Sequence, residues 1–252
     1  MRVGNAMKAL VAGGGGFIGS RLVRALLNKN WTVRVLDVRY GELVDCKDKL
    51  EFFGVGSDDL RGGMVDGDIV RQAVRGVEVV YHLALNWDGA TWKHKVPLPD
   101  LFDVNIRGTL NLLEEAKSEG VKHFMFASST AVYGNGSAEV VDEESVCKPE
   151  LFNGDPGPAY GIMKFVTERL CLLYFSEYGL PVTILRIGYV FEPPSKGEIH
   201  VKDVVRAFIL ATLNSKAYGQ VFNVACKPTV STRKIVETLD WKPKFTTNYT
   251  EG

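Results

Sequence analysis

Tyr160, Lys164 and Ser129 stand in a pattern that can move protons at a substrate hydroxyl. Tyr160 and Lys164 are four residues apart in a stretch of helical character, so they share one helix face. An ammonium beside a phenol favours the phenolate, because opposite charge stabilises the ionised form. Such a tyrosine can take the proton of a substrate hydroxyl. Ser129 lies in Ala127-Ser128-Ser129-Thr130-Ala131-Val132-Tyr133-Gly134, just past a predicted strand end, where its hydroxyl can bond the same oxygen. Each part alone has an ordinary reading. Tyr-x-x-x-Lys is also a surface helix pair, and Ser-Ser-Thr is also a loop or cap.

A glycine loop upstream gives these residues joint meaning. Gly13, Gly16 and Gly19 follow the apolar run Ala9-Leu10-Val11-Ala12 and precede a helical pattern. This strand–glycine–helix order serves a tight turn, a close backbone approach to a pyrophosphate and helix–strand packing. The helix N-terminus then offers amides to the phosphates. Asp37 comes 21 residues after Gly16, at the end of a second predicted strand, where a carboxylate accepts the ribose hydroxyls of NAD. Arg39 could meet the 2′-phosphate of NADP, though an Arg here is more often a solvated surface residue. Asp37 would repel that phosphate, so NAD is expected ahead of NADP. With an oxidised nicotinamide beside it, Tyr160 would give up its proton still more readily, and hydride would leave the carbon whose hydroxyl it deprotonates.

The elements that must position these groups alternate along the chain. Strands are predicted at 9–12, 32–37, 77–85, 124–128, 182–186 and 220–224. Helices are predicted at 20–28, near 110–116, at 160–178 and at 204–213. The fold class is therefore α/β, a doubly wound Rossmann-type parallel sheet with helices on both faces. The loops 87–99, 134–158 and 192–197 are polar or rich in Gly and Pro, as surface or functional loops are. The polar stretch 240–252 is expected to be loosely held.

Composition narrows the function classes. Thirty Lys and Arg balance thirty Asp and Glu, giving no net charge and no basic patch for a nucleic acid. No apolar run is long enough to span a membrane, and residues 1–6 lack the apolar core of a signal peptide. Cys46, Cys147, Cys171 and Cys226 are scattered without C-x-x-C, which reads as reduced thiols in a cytoplasmic protein and as no metal site.

Together the motifs resemble the extended short-chain dehydrogenases/reductases, in their NAD-dependent epimerase/dehydratase branch. The likeness runs from about residue 7 to 239. It rests on Gly13-Gly14-Gly15-Gly16-Phe17-Ile18-Gly19, Asp37, His82-Leu83-Ala84, Asn105-Ile106-Arg107-Gly108-Thr109, the Ser128–Gly134 motif, Tyr160-Gly161-Ile162-Met163-Lys164 and His200-Val201-Lys202-Asp203-Val204. The resemblance implies that Tyr160 is the general base and acid, that Lys164 binds the nicotinamide ribose and lowers the Tyr160 pKa, and that Ser129 binds the reacting oxygen. It further implies that Asn105 supports the active-site network and that Phe17, Ile18, Leu83 and Ala84 line the cofactor cleft. His82 is equally a structural residue, and Asp203 is expected to fix a helix start. Residues 7–185 would form the NAD-binding part with the catalytic residues. Residues 186–252 would hold the remaining elements and a small, truncated substrate lobe. Helices at about 100–118 and 158–178 resemble those that form a dimer interface, with Leu110, Leu113, Phe165, Leu172 and Phe175 as interface or core residues, so a homodimer is expected.

The departures separate reactions. Dehydratases of the family carry Asp-Glu after the serine position, whereas this chain has Thr130-Ala131, which disfavours elimination. A nucleotide-sugar epimerase-like oxidoreductase leads. The alternatives are a dehydrogenase or reductase of a smaller carbonyl or sugar, and a cofactor binder that has lost turnover. Gly63-Met64 replaces the family's Asp-hydrophobic pair against adenine, with Asp66 and Asp68 out of register. Met163 replaces a common Ser, and Tyr189 stands where Asn is frequent. Between Pro194 and His200 lie Ser195-Lys196-Gly197-Glu198-Ile199 alone, where relatives carry a longer substrate-binding segment.

Overall fold

The computed structural model describes residues 6–56, 63–86, 97–135, 140–154, 157–193 and 197–246. The chain opens with β1 (Lys8–Ala12), α1 (Phe17–Leu27) and β2 (Thr32–Leu36). α1 begins three residues earlier than its apolar face suggests. Gly16, extended at φ −78° and ψ 178°, ends the turn as N-cap, so Gly19 stands inside the first helical turn. β3 (Glu51–Phe53), α2 (Gly67–Val74) and β4 (Val79–His82) follow. α3 (Leu98–Phe102) and α4 (Gly108–Ser118) are joined by a turn of π-helix at Asp103–Arg107. Next come β5 (His123–Ser129), α5 (Pro158–Tyr178), β6 (Val182–Ile187), the short strands β7 (Val190–Phe191) and β8 (Ile199–His200), α6 (Val201–Thr212), β9 (Gln220–Val224) and α7 (Arg233–Leu239).

Seven strands form one sheet in the order β3-β2-β1-β4-β5-β6-β9, and every pairing is parallel. The register sets Ala12 beside Leu36 and His82, His82 beside Phe126, and Ser129 beside Ile187. The strand ends that carry the motifs therefore share one edge. The strand order turns back between β1 and β4, and this switch point is where doubly wound sheets take ligands.

Both faces of the sheet are covered. Ala9 and Val11 face Leu22, Leu26, Phe208 and Trp241, while Leu10 and Ala12 face Val70, Leu112, Phe124 and Tyr174. Burial on both sides is why the strands read as continuous apolar runs. Each fully buried Leu or Phe contributes about 1.5–3 kcal/mol. The boundary expected at 185/186 falls within β6, and β9 completes the sheet from the C-terminal part. Among the described residues, no helix is long and apolar enough to cross a membrane.

The C-terminal stretch departs from expectation. Residues 240–246 are held, not loose. Trp241 is fully buried, and its Nε1 donates to the Asp203 carbonyl at 3.1 Å. The Asp203 carboxylate accepts the amides of Lys244 (2.7 Å), Phe245 (3.0 Å) and Thr246 (3.0 Å) and the Thr246 hydroxyl (2.9 Å). Asp203 thus anchors this segment, whereas the start of α6 is capped by His200 Nδ1, which accepts from the Lys202 amide at 3.1 Å. Residues 247–252, and 194–196 of the short segment, lie outside the described residues, as do 87–96, 136–139 and 155–156 of the expected loops.

Candidate active site

One cleft of about 1060 Å³ opens along the strand-end edge. Gly13, Gly16, Phe17, Ile18, Gly19, Asp37, Arg39, Leu83 and Ala84 line one part of it, and Ser129, Tyr160 and Lys164 line another. Gly13 has φ +82°, and a Cβ there would stand 2.5 Å from the Ala84 amide, so the crossing of the two chain segments after β1 and β4 requires glycine. A Cβ on Gly19 would overlap the Gly13 carbonyl. Gly16 differs: it is exposed to the cleft, and the one neighbour a Cβ would meet is Gly13 O at 3.3 Å. The missing side chain leaves a cradle before α1. No side chain caps this helix, and its first turn holds no acidic residue. A dinucleotide pyrophosphate fits that end, where amides and helix dipole favour an anion.

Asp37 is half-buried directly after β2. Its Oδ2 accepts the Gly15 amide at 2.9 Å, and its Oδ1 accepts the Arg39 amide at 3.3 Å. Burial pushes its pKa up, while these amides and the Arg39 charge pull it down. Gly63 and Met64 line the cleft beside it, where no acid stands. Asp66 instead caps α2, accepting the Asp68 and Ile69 amides at 2.9 and 3.1 Å, and Asp68 pairs with Arg71.

On the catalytic side, α5 lays its first turns against the end of β5. The Ser129 side chain neighbours the Tyr160 phenol and favours its ionised form. Lys164 is buried at 6% exposure, and its Nζ donates to the Ala127 carbonyl at 2.7 Å. The ammonium stands 5.8 Å from the centroid of the Tyr160 ring. Burial pushes the phenol up, the neighbouring Ser129 side chain opposes this, and the Lys164 amine bonds a backbone carbonyl. Burial also pulls Lys164 down to about 8, against the upward pull of Glu168.

Asn105 does not reach the cleft. It sits buried in the π-helical turn, where Oδ1 accepts the Asn86 amide at 2.9 Å and Nδ2 donates to Leu101 O at 2.8 Å and Met163 Sδ at 3.4 Å. It ties the segment after β4 to α5, and Met163 serves in that tie. His82 is structural: fully enclosed, 2.7 Å from Thr109 Oγ1, and pushed down to about 3 by burial.

Residues 9–198 match the sequence profile described as the NAD dependent epimerase/dehydratase family. This chain belongs to that family. The family's cofactor is NAD, and its members named below are enzymes. The chain is 34% identical over 197 residues to a putative UDP-glucose 4-epimerase of Methanocaldococcus jannaschii, covering 76% of this chain and 59% of that protein. It is 30% identical over 236 residues to a UDP-N-acetyl-alpha-D-glucosaminuronate decarboxylase of Bacillus cytotoxicus, covering 89% and 68%. The crystal structure of a UDP-glucose 4-epimerase from Thermotoga maritima, solved with UDP-glucose, superposes with a TM-score of 0.78 at 25% identity, over 96% of this chain and 95% of that one. The chain spans between 41% and 68% of the length of curated relatives it matches.

Sequence reading missed part of this family member's cleft. Phe152, Glu198, Lys227 and Thr229 also line it, beside Tyr133 of the Ser128–Gly134 motif and the exposed Tyr189 already singled out in the sequence. Phe152, Glu198, Lys227 and Thr229 come from segments whose approach depends on tertiary packing, and no local spacing marks them. A buried pair beneath the site, Glu168 with Arg186, was missed as well. Its signal was a carboxylate four residues after Lys164 on the same helix stripe. Of the expected dimer residues, Leu113 is fully buried core, and Leu110 and Leu172 pack partly on that core.

Proposed function

We propose that this protein is an NAD-dependent nucleotide-sugar oxidoreductase of the epimerase type, with Tyr160 taking and returning the proton of a sugar carbinol. One observation carries the reading: Tyr160, Ser129 and Lys164 meet on the wall of the same cleft that α1 and Asp37 border. Asp37 would hold the adenosine ribose, the start of α1 the pyrophosphate, and Lys164 the nicotinamide ribose. Bound NAD supplies a hydride acceptor that can return the hydride. Tyr160 acts as base and then acid, and the neighbouring Ser129 hydroxyl binds the reacting oxygen. Thr130 and Ala131 line the cleft without a carboxylate, which supports reversible oxidation at one carbon over elimination.

Tyr160→Phe is expected to lower turnover by about two to four orders of magnitude, the usual worth of a positioned proton-transfer group. Turnover equal to wild type rejects the assignment. Incubation with UDP-galactose and NAD separates the reactions, since isomerised product without accumulating NADH supports an epimerase. Stoichiometric NADH would favour the second reading, a dehydrogenase or reductase of a smaller substrate. The short stretch between Pro194 and His200 motivates that reading. We place the enzyme in the cytoplasm as a homodimer built through α4 and α5. The exposed Leu173, Phe175 and Tyr178 near the end of α5 support this, and a monomeric mass by light scattering would refute it.

A further inference from the structure

Residues 160, 164 and 168 follow one another at one-turn spacing on α5, and Lys164 and Glu168 are bonded to consecutive residues of β5. Ser129 neighbours the Tyr160 phenol, Lys164 Nζ donates to Ala127 O at 2.7 Å, and Ser128 Oγ donates to Glu168 Oε1 at 2.6 Å. Glu168 has no exposed surface. From β6, Arg186 donates Nε to Oε1 at 3.0 Å and Nη2 to Oε2 at 2.8 Å, and Arg169 Nη2 reaches Oε2 at 3.3 Å. Arg186 is itself fixed from the far side, because its Nη1 donates to the Tyr133 hydroxyl at 2.9 Å and to Glu143 O at 3.3 Å.

A buried ion pair is poorly explained as a stability device. Desolvation offsets its attraction, and replacing both partners by uncharged residues is often neutral or better. This pair lies directly beneath the proton-transfer residues. The groups around Lys164 are Tyr160, Glu168 and Cys171 on its own helix, His82 on β4, and the Ala127 carbonyl and Phe126 ring on β5. Glu168 is the carboxylate of that set, and it supports the charged form of an amine that burial otherwise weakens.

We propose that Glu168, anchored by Arg186, is a positioning residue that locks α5 to the end of β5 and keeps a negative charge beneath Lys164. The proposal rests on the reading of Ser129, Tyr160 and Lys164 as the reacting set.

The test compares Glu168→Gln with the double variant Glu168→Gln/Arg186→Gln. The single variant strands a buried guanidinium and is expected to lose much of its thermal stability. The double variant removes both charges, so its melting temperature should return close to wild type. Lys164 is titrated by NMR in lysine-labelled protein, its signal assigned with Lys164→Arg. In the double variant Lys164 should titrate about one pH unit lower, a tenfold fall in its proton affinity, because its nearest opposite charge is gone. Turnover should fall about tenfold at about pH 9 but only about twofold near pH 7, with KM little changed, as the alkaline limb of the kcat profile moves down by the same unit. A merely structural pair predicts recovery of both stability and Lys164 titration. An unshifted Lys164 in the folded double variant overturns the proposal, whatever its turnover. The reading of the reacting set is decided separately, by Tyr160→Phe in the wild-type background.

Discussion

At the scale of single residues, the site rests on a lysine whose charge the fold disfavours. Lys164 titrates near 8 in the folded chain and near 10.5 when solvated. Below pH 8 both folded and unfolded chains hold its proton, and above about 10.5 neither does. Between these limits the unfolded chain binds more protons, so this residue makes stability rise with pH across the window. The shift corresponds to about 3 kcal/mol set against the folded state at neutral pH. Lys164→Met is therefore expected to abolish turnover while its stability, measured relative to wild type, declines by roughly that amount between pH 8 and 10.5. Denaturant unfolding at several pH values measures this, and parallel curves for the two proteins would contradict it. The chemistry accounts for the retained cost: an amine kept charged beside Tyr160 is the group that can stabilise a phenolate.

At the scale of elements, the glycine loop divides its tasks between packing and binding. Gly13→Ala should cost about 1–3 kcal/mol or more, because φ is +82° and the new Cβ would press on the Ala84 amide. Gly16→Ala meets Gly13 O alone and should change stability by less than about 0.5 kcal/mol, the usual range for exposed substitutions. Its methyl would fill the cradle before α1, so NAD affinity by calorimetric titration should fall at least tenfold. Equal losses of stability in both variants would contradict this division. The elements were legible where burial on two faces writes an apolar run, as in β1, β5, β6 and β9. They were illegible where the signal is short or shared. Glu51, Phe52 and Phe53 are too few to mark an edge strand, and α2 is recognisable chiefly by its cap, Asp66. Of the site, Ser129, Tyr160, Lys164 and the glycines were legible because their spacing is local. Glu168 is locally spaced too, but its partner Arg186 arrives on another strand, so the pair carried no one-dimensional pattern.

At the scale of the whole molecule, the sheet leaves no seam between the nucleotide-binding part and the C-terminal part. β6 pairs with β5 on one side and with β9 on the other, and α6 packs into the same apolar layer as α1. Trp241 closes that layer from the C-terminal side, fully buried like Phe208 and in one cluster with Leu239, and Asp203 clasps the residues just beyond it. A chain built this way should unfold in a single transition, with circular dichroism and tryptophan fluorescence coincident. Trp241→Ala should lower that transition as a whole by about 3–5 kcal/mol, the range for emptying a large aromatic site. Because the layer reaches β1 and α1, this loss of packing should also weaken NAD binding, although Trp241 is not among the residues that line the cleft. A variant in which residues beyond 186 melt early while NAD affinity and the main transition stay at wild-type values would show two units joined at β6, and would overturn the one-unit account.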